Sequence, residues 1–421
     1  MKTIDIEKVL SSLTLEEKAS LCSGMDFWHT QEIPRLDIPA VMVSDGPNGL
    51  RKQEEVTDNL GVCGSVEAIC FPTASAMACS FDRDLIHQVG EALGEECQAE
   101  GVSVLLGPGI NMKRSPLCGR NFEYYSEDPY LAGELGAAFV NGVQSQHVGT
   151  SLKHFAANNQ EKRRLTISSK VDERTLREIY LTAFEKTVKQ AQPWTIMCSY
   201  NRINGVYSCE NNWLLNDVLR GEWGYEGLML TDWGAMNDRV PALKAGLDLE
   251  MPSSQGVRDQ QIVKAVESGE LSIEVLDQAV TRVLTQVNKS IEHQNEKTSY
   301  DKQKHHELAR KVACESAVLL KNEKVLPIKK EQKVLIIGEF ARNPRIQGGG
   351  SSHINCTQID SALDALKHNP NIQFEQGYSL EDVSEEMELK MRADAMEAAM
   401  DVDVAVIFAG LPDSYESEGF D

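Results

Sequence analysis

The sequence predicts an α/β protein, a (β/α)8-type barrel followed by the start of a second α/β domain. Three observations carry this. Short apolar runs alternate with stretches of helical periodicity through the first two thirds of the chain. Each run stops at a polar, turn-rich loop: SDGPNGLR after 40–44, GPGI after 102–106, HFAANN after 150–153, YNRINGV after 195–199, TDWGA after 228–230 and EMP after 247–249. Residues suited to chemistry stand at many of these strand ends. A closed barrel collects such residues from every strand, whereas an open doubly wound sheet concentrates them at one switch point.

Length and composition set the frame. A chain of 421 residues with 41% hydrophobic content is long for one domain and can fill two cores. A formal charge of −22 speaks against nucleic acid or an anionic membrane as partner. No stretch is long and apolar enough to span a bilayer, and MKTIDIEKVLSSLTLEEK lacks the apolar run of a secretion signal. Ten cysteines and nine histidines are scattered without CxxC pairs or metal-ligand spacing. No metal and no cofactor are therefore expected, and a cytoplasmic protein with reduced thiols is the simplest account. Cys79, Cys198 and Cys314 read as small buried side chains.

In chain order, Thr14 and Glu17 form a capping box that starts a helix. A strand at 40–44 is followed by a strand-like stretch at 71–80 and a helix over 82–100. Helices over 131–146, 173–190 and 213–221 separate the later strands. A helix over 272–286, N-capped by Ser272, and another over 304–321 flank the charged, aromatic-poor stretch 289–304. KVLIIGEF (333–340) and DVAVIFAG (403–410) then open a new α/β pattern, with the acidic helical stretch 380–400 as a solvated face. The boundaries are a barrel domain over 1–288, a linker over 289–332 and a partial second domain over 333–421. That second domain shows few strands and reads as truncated, so a homo-oligomer or a missing C-terminal segment is expected to cover its strand edges.

The candidate site grows from GLMLTDWGA (227–235), an apolar run that ends at Asp232 and Trp233. Alone, an aspartate after a strand reads most simply as a helix cap; its company reverses that reading. SDGPNGLR brings Asp45 and Arg51, though it also suits a bare turn. Lys153 and His154 are neighbours that a regular strand would send to opposite faces, so distorted backbone directing both to a polar pocket is expected. Arg120, Arg164 and Tyr200 complete the set, with surface charge or core packing as the plainer alternatives for the last two. Carboxylates accept from vicinal hydroxyls, cations donate to them, and an aromatic face packs on C–H groups. This mixture suits a neutral polyhydroxylated ligand. GGGSS (348–352) lacks a P-loop lysine and reads as a loop that approaches a ligand closely.

SDGPNGLRK, GPGINMKRSPLCGRNFEYYSEDPYL, KHFAANNQEKRR, MCSYNRINGV, GLMLTDWGA, AGLDLEMP, ESAVLLKNE and YESEGFD occur in that order along the chain. In these stretches the chain resembles glycoside hydrolase family 3 of the β-glucosidase type. The resemblance implies a barrel that is irregular or incomplete as a (β/α)8, a linker, and an (α/β)6 sandwich domain whose loops complete the site. It implies a retaining exo-β-glycosidase, most simply a β-glucosidase acting on β-glucosides or short oligosaccharides, with no cofactor. Asp232 matches the nucleophile; Asp45, Arg51, Arg120, Lys153, His154, Arg164, Tyr200 and Trp233 match the sugar-holding residues. The acid/base is a glutamate of the second domain, with Glu418 the nearer match and Glu416 the alternative. The N-acetylglucosaminidase branch is disfavoured because Ala156-Ala157-Asn158-Asn159 follows KHF. A β-xylosidase or α-arabinofuranosidase, or a catalytically incomplete sugar-binding fragment, remain as alternatives. Two electrostatic expectations follow: Lys153 and Arg164 hold the Asp232 pKa low, and the acid occupies a less cationic, partly desolvated place.

Overall fold

The computed structural model describes residues 3–53, 64–294 and 298–421; Cys63 and the middle of the expected connection at 289–304 lie outside the described residues. Five parallel strands form one sheet in the order β1 Val43–Asp45, β2 Val104–Leu106, β3 Gly149–Phe155, β4 Thr195–Cys198 and β5 Leu228–Thr231. The sheet curls into an irregular barrel, with short pieces completing the ring. Leu249 pairs with Leu230 in β5, Glu250 with Ser23, Gly24 with Thr30, and His29 with Met42 beside β1. Strands buried on both faces are what helix-covered parallel sheets require. Alternation sorts their side chains: Val43, Val104, Leu106, Met197, Leu228 and Leu230 pack together inside with Trp28 and Met251. Leu105, Leu152, Ile196 and Met229 face outward onto the helices.

The covering helices Arg83–Ala99 and Pro129–Ser145 start where Asp82 and Asp128 accept amide hydrogen bonds as N-caps. They pack closely enough that a Cβ at Gly90 or Gly142 would strike the other helix's backbone. Thr14 and Glu17 make the expected capping box.

Several expectations change. Residues 71–80 form no strand but a short helix, Ala74–Met77, and a 3-10 turn, because Pro72 cannot donate to a ladder. The helices at 173–191 and 213–222 contain wider π-type turns. Ser272 sits at the N-cap but makes no backbone cap bond. The helix expected over 304–321 is Lys302–Glu315, and the apolar Val318, Leu319 and Leu320 beyond it are exposed. Cys198 is buried as expected, but Cys79 and Cys314 are exposed, the first in the 3-10 turn Ala78–Ser80 and the second near the end of the helix Lys302–Glu315.

The second sheet is parallel, in the order β7 Ile372–Glu375, β6 Val334–Ile337, β8 Val404–Ile407. Val334 and Ile336 pack with Ile372, Phe374, Val404 and Val406 on one face. The acidic helix Glu385–Ala398 is solvated as expected, with only Ala395 buried. The sheet joins the barrel side through a two-residue parallel pairing of Asn355–Cys356 with Glu67–Ala68. No helix is long and apolar enough to cross a membrane, and no group of potential metal ligands occurs among the described residues.

Candidate active site

The strand ends converge on one buried polar cluster. β1 ends at Asp45, and the chain folds straight back so that the Arg51 amide donates to the Asp45 carbonyl. Asp45 then lies 3.9 Å from Lys153 Nζ and 4.0 Å from an Arg51 nitrogen. Burial pushes its carboxyl up, against the pull of Lys153, to about 7. At the end of β3 the ladder slips between Leu152 and Phe155, and the Lys153–His154 and Phe155–Ala156 peptides are cis. Both Lys153 and His154 point into the cluster, as expected of a distorted dipeptide. His154 Nε2 is 3.6 Å from Asp232, while Asn111 receives its backbone amide and Tyr124 meets Nδ1 at 3.1 Å. Burial, followed by Arg120, Lys153 and Arg164, holds His154 well below the ordinary imidazole range, so it is neutral.

Asp232 closes β5. It caps no helix: the next one, Arg239–Lys244, begins beyond Asp238. Its Oδ1 accepts from the Trp233 amide at 2.7 Å, while Oδ2 is buried without a hydrogen-bond partner. An unpartnered carboxylate oxygen is costly to bury. Desolvation accordingly raises the Asp232 pKa to about 6, despite Arg120, Arg164 and Lys153. The expectation of a depressed pKa is thus overturned, because burial, with the Glu418 charge added to it, outweighs the three cations. Trp233 donates its indole N–H to the Phe27 carbonyl at 2.9 Å and lies 5.4 Å from the Trp28 ring, forming an aromatic wall beside the carboxylate. Tyr200 donates to the Trp233 carbonyl at 2.9 Å, and the Arg164 guanidinium lies over its ring.

The second domain contributes Glu418. Its Oε1 is 2.7 Å from Arg164 Nη1 and 3.6 Å from Arg120 Nη1, and its Oε2 accepts from the Ser351 amide at 2.9 Å. Burial alone would raise this carboxyl; Arg120, Arg164 and the Ser351 donor outweigh it and hold the pKa well below the carboxylate range. A less cationic setting for this glutamate was expected. The structure overturns that, because two arginines from the barrel meet at Glu418. Glu416 turns away. It pairs with Arg345 at 2.6 Å and lines a separate cavity of about 700 Å³ with Phe122 and Phe340. The GGGSS loop approaches Glu418 rather than open space: Gly350 has φ +102°, and a Cβ there would collide with the Glu418 side chain.

Beyond Asn111 and Tyr124 at His154, further participants were not singled out from the sequence. Glu123 grips the Arg120 guanidinium, Glu161 shares Arg164 with Glu418, and Ser351 donates to Glu418. The glutamates sit three residues from their arginines, a spacing visible within GRNFE and EKRR.

The comparisons extend over the whole cluster. Residues 30–286 match the "Glycosyl hydrolase family 3 N terminal domain" and residues 317–421 the "Glycosyl hydrolase family 3 C-terminal domain". The chain is 56% identical over 423 residues to thermostable beta-glucosidase B of Acetivibrio thermocellus, covering 99% of this chain and 56% of that protein. It is 50% identical to an exo-alpha-(1->6)-L-arabinopyranosidase of Bifidobacterium breve, covering 98% and 56% respectively. Among solved structures, a GH3 beta-glucosidase of Bifidobacterium adolescentis superposes with a TM-score of 0.91 at 51% identity, covering 98% of this chain and 59% of that one. Beta-glucosidase 3B of Thermotoga neapolitana, in complex with α-D-glucose, superposes at 0.87 with 35% identity, covering 99% and 63%. The chain thus spans little more than half the length of these curated relatives. Residues 30–286 and 317–421 together place the chain in glycosyl hydrolase family 3.

Proposed function

We propose that this chain carries the active site of a retaining exo-β-glucosidase, with Asp232 as nucleophile and Glu418 as acid/base. The observation that carries the reading is the bare Oδ2 of Asp232, buried at a strand end and facing a cluster that includes a second-domain carboxylate. Relatives named as beta-glucosidases at 56% and 43% identity support the substrate class.

In the proposed reaction, Asp232 Oδ2 attacks the anomeric carbon while the glycosidic oxygen leaves with the proton of Glu418. Glu418, now a carboxylate, takes a proton from water; the resulting hydroxide equivalent attacks the anomeric carbon and releases Asp232. Double displacement of this kind calls for the two carboxyl groups to be about 5–5.5 Å apart around the bound sugar. Asp45, Lys153, Arg120 and His154 would hold the sugar hydroxyls, and Trp233 would pack on the C–H face. Because arginines hold Glu418 ionised in the free site, sugar hydroxyls must draw on those guanidinium donors before Glu418 can carry its proton. Glu416 has no part in this scheme, being committed to Arg345.

The test is covalent trapping. A 2-deoxy-2-fluoro-β-glucoside with a good leaving group should label the peptide containing Asp232, as read by mass spectrometry. Labelling of any other carboxylate overturns the assignment. A second reading, hydrolysis of α-L-arabinopyranosides, is favoured by the relative of that name at 50% identity. Aryl β-glucoside, aryl β-xyloside and aryl α-L-arabinopyranoside compared by kcat/KM separate the readings. A cytoplasmic location belongs to the same proposal and rests on the nine described cysteines standing as free thiols.

A further inference from the structure

The barrel holds the Glu418 loop by a clasp that the catalytic scheme does not itself require. Glu161 is buried at the end of the β3 loop, 1% exposed, and its Oε2 serves two donors. One is Arg164 Nη1 at 2.7 Å, the same nitrogen that reaches Glu418. The other is the backbone amide of Gly419, the residue after Glu418, at 2.9 Å. Glu161 Oε1 is buried with no partner. The hold is reciprocal: the Asp421 carboxylate accepts from the amides of Glu161 at 2.8 Å, Lys162 at 3.0 Å and Gly119 at 3.3 Å. Gly119 permits the approach, since a Cβ there would collide with the carbonyl oxygens of Phe420 and Ser417. Glu418 is therefore bracketed: its neighbour on the C-terminal side is fixed to the barrel, and the guanidinium it faces is shared with the group that fixes it.

From this geometry we infer that Glu161 is a positioning residue, seating the Glu418 carboxyl against the barrel through the Gly419 amide and Arg164. The inference rests on the proposed acid/base role of Glu418. A carboxylate that sits on a separate domain can be aimed at the glycosidic oxygen only as accurately as its loop is docked. Loss of the clasp should therefore cost most where the leaving group needs a proton.

The experiment compares wild type, Glu161→Ala and Glu161→Gln on two substrates, 2,4-dinitrophenyl β-glucoside and methyl β-glucoside. Circular dichroism verifies folding, and hydrogen exchange follows the 417–421 segment. Gln keeps an oxygen that can accept from both Arg164 and Gly419, and its NH₂ takes the place of an oxygen already without a partner. Ala removes the acceptor. The expected result is a loss in kcat/KM of about 10–100-fold on the methyl glucoside for the Ala variant, at or below the low end of the roughly 10²–10⁴-fold that general acid catalysis is worth. This parameter reports glycosyl transfer to Asp232 and not the later base-assisted step. The dinitrophenyl substrate should lose less than about threefold, the Gln variant should recover most of the loss, and the Gly419 amide should exchange faster only in the Ala variant. Equal losses on both substrates, or unchanged Gly419 exchange in the Ala variant, would overturn the positioning role. Wild type that hydrolyses neither substrate counts against the proposed function instead, and the exchange data then decide the clasp by themselves.

Discussion

Replacing Asp232 with Asn should stabilise the protein at neutral pH while abolishing turnover, and the two effects have one cause. In the folded chain burial raises the Asp232 pKa to about 6, against about 3.9 for an unfolded aspartate. Between those values the native state holds a proton that the unfolded state has lost, so stability falls as pH rises through the window. The contribution is fully present below about pH 4 and is gone above about pH 6–7. About two pKa units at 1.36 kcal/mol each make roughly 3 kcal/mol that wild type forfeits by pH 7. Asn keeps the acceptor for the Trp233 amide and carries no charge, so it escapes that loss. With unfolding entropy of about 2.1 cal/mol/K per residue over 421 residues, 3 kcal/mol corresponds to roughly 3–4 °C in Tm.

The assay is differential scanning of wild type and Asp232→Asn at pH 4.0 and pH 7.5 in one buffer series. Asp45 also titrates upward, and the Asp232 charge is one of the causes, so the gap at pH 7.5 includes that coupling as well. The Asn variant should match wild type at pH 4.0 and exceed it by about 3 °C at pH 7.5. A gap that is the same at both pH values would refute the claim that burial of this carboxylate is its origin. A variant less stable than wild type at pH 7.5 would show that Asp232 is a structural anion for Arg120, Arg164 and Lys153. Turnover should fall by more than about 10⁴-fold, as for loss of a nucleophile.

Glu418→Ala should lose activity on poor leaving groups and regain rate on activated aryl glucosides with azide, whereas Glu416→Ala should leave both within about twofold; leaving-group series read the contrast. Arg164→Gln removes a cation that lowers both Glu418 and Asp232, so both carboxyls titrate higher and both limbs of the kcat/KM profile should move to higher pH, by about 1–2 units on the acid side. Trp233→Ala removes the aromatic wall packed on Trp28 and should raise KM for aryl glucosides about tenfold with a smaller change in kcat, measured by initial rates. Phe155→Ala, in a fully buried ring packed on Phe184 and Trp223, should lower stability by about 3–5 kcal/mol in chemical denaturation.

The strand-end residues were legible because turn chemistry marks each strand end, and a barrel brings all strand ends to one mouth. Asp45, Lys153, His154 and Asp232 could be placed together without knowing any distance. Even the distorted backbone at Lys153–His154 followed from charge: two adjacent polar side chains cannot both avoid the core in a regular pleat. The strand expected at 71–80 failed because an apolar run reads alike whether it pairs in a ladder or packs as a short helix, and only the Pro72 position hinted at the difference. The helix over 302–315 stops before Val318–Leu320, which are exposed, because an apolar run does not by itself specify winding.

What the sequence could not convey was the sign of the pKa shifts. The list of cations near Asp232 was right, yet a pKa depends on the balance between charge and desolvation, and desolvation is a property of the closed site. Asp232 lies at the inner end of a buried strand with one oxygen unpartnered, so burial wins there. Glu418 is only partly exposed too, with 15% of its side chain accessible, but it arrives from another domain to lie directly against Arg164, within 4 Å of Arg120 and on a Ser351 amide, so the donors win. The same two arginines lower both carboxyls, and what differs between the two sites is the balance with burial. They tie Glu418 of the second domain to the barrel, and Glu123 and Glu161 pair with them there. In the free site the protons are therefore distributed in the opposite sense to that needed for catalysis. The two carboxyl groups must be treated as a coupled pair, whose titration belongs to both. Under the proposed function, a neutral sugar on the guanidinium donors would relieve that inversion and so link substrate binding to protonation of the acid through Arg120 and Arg164.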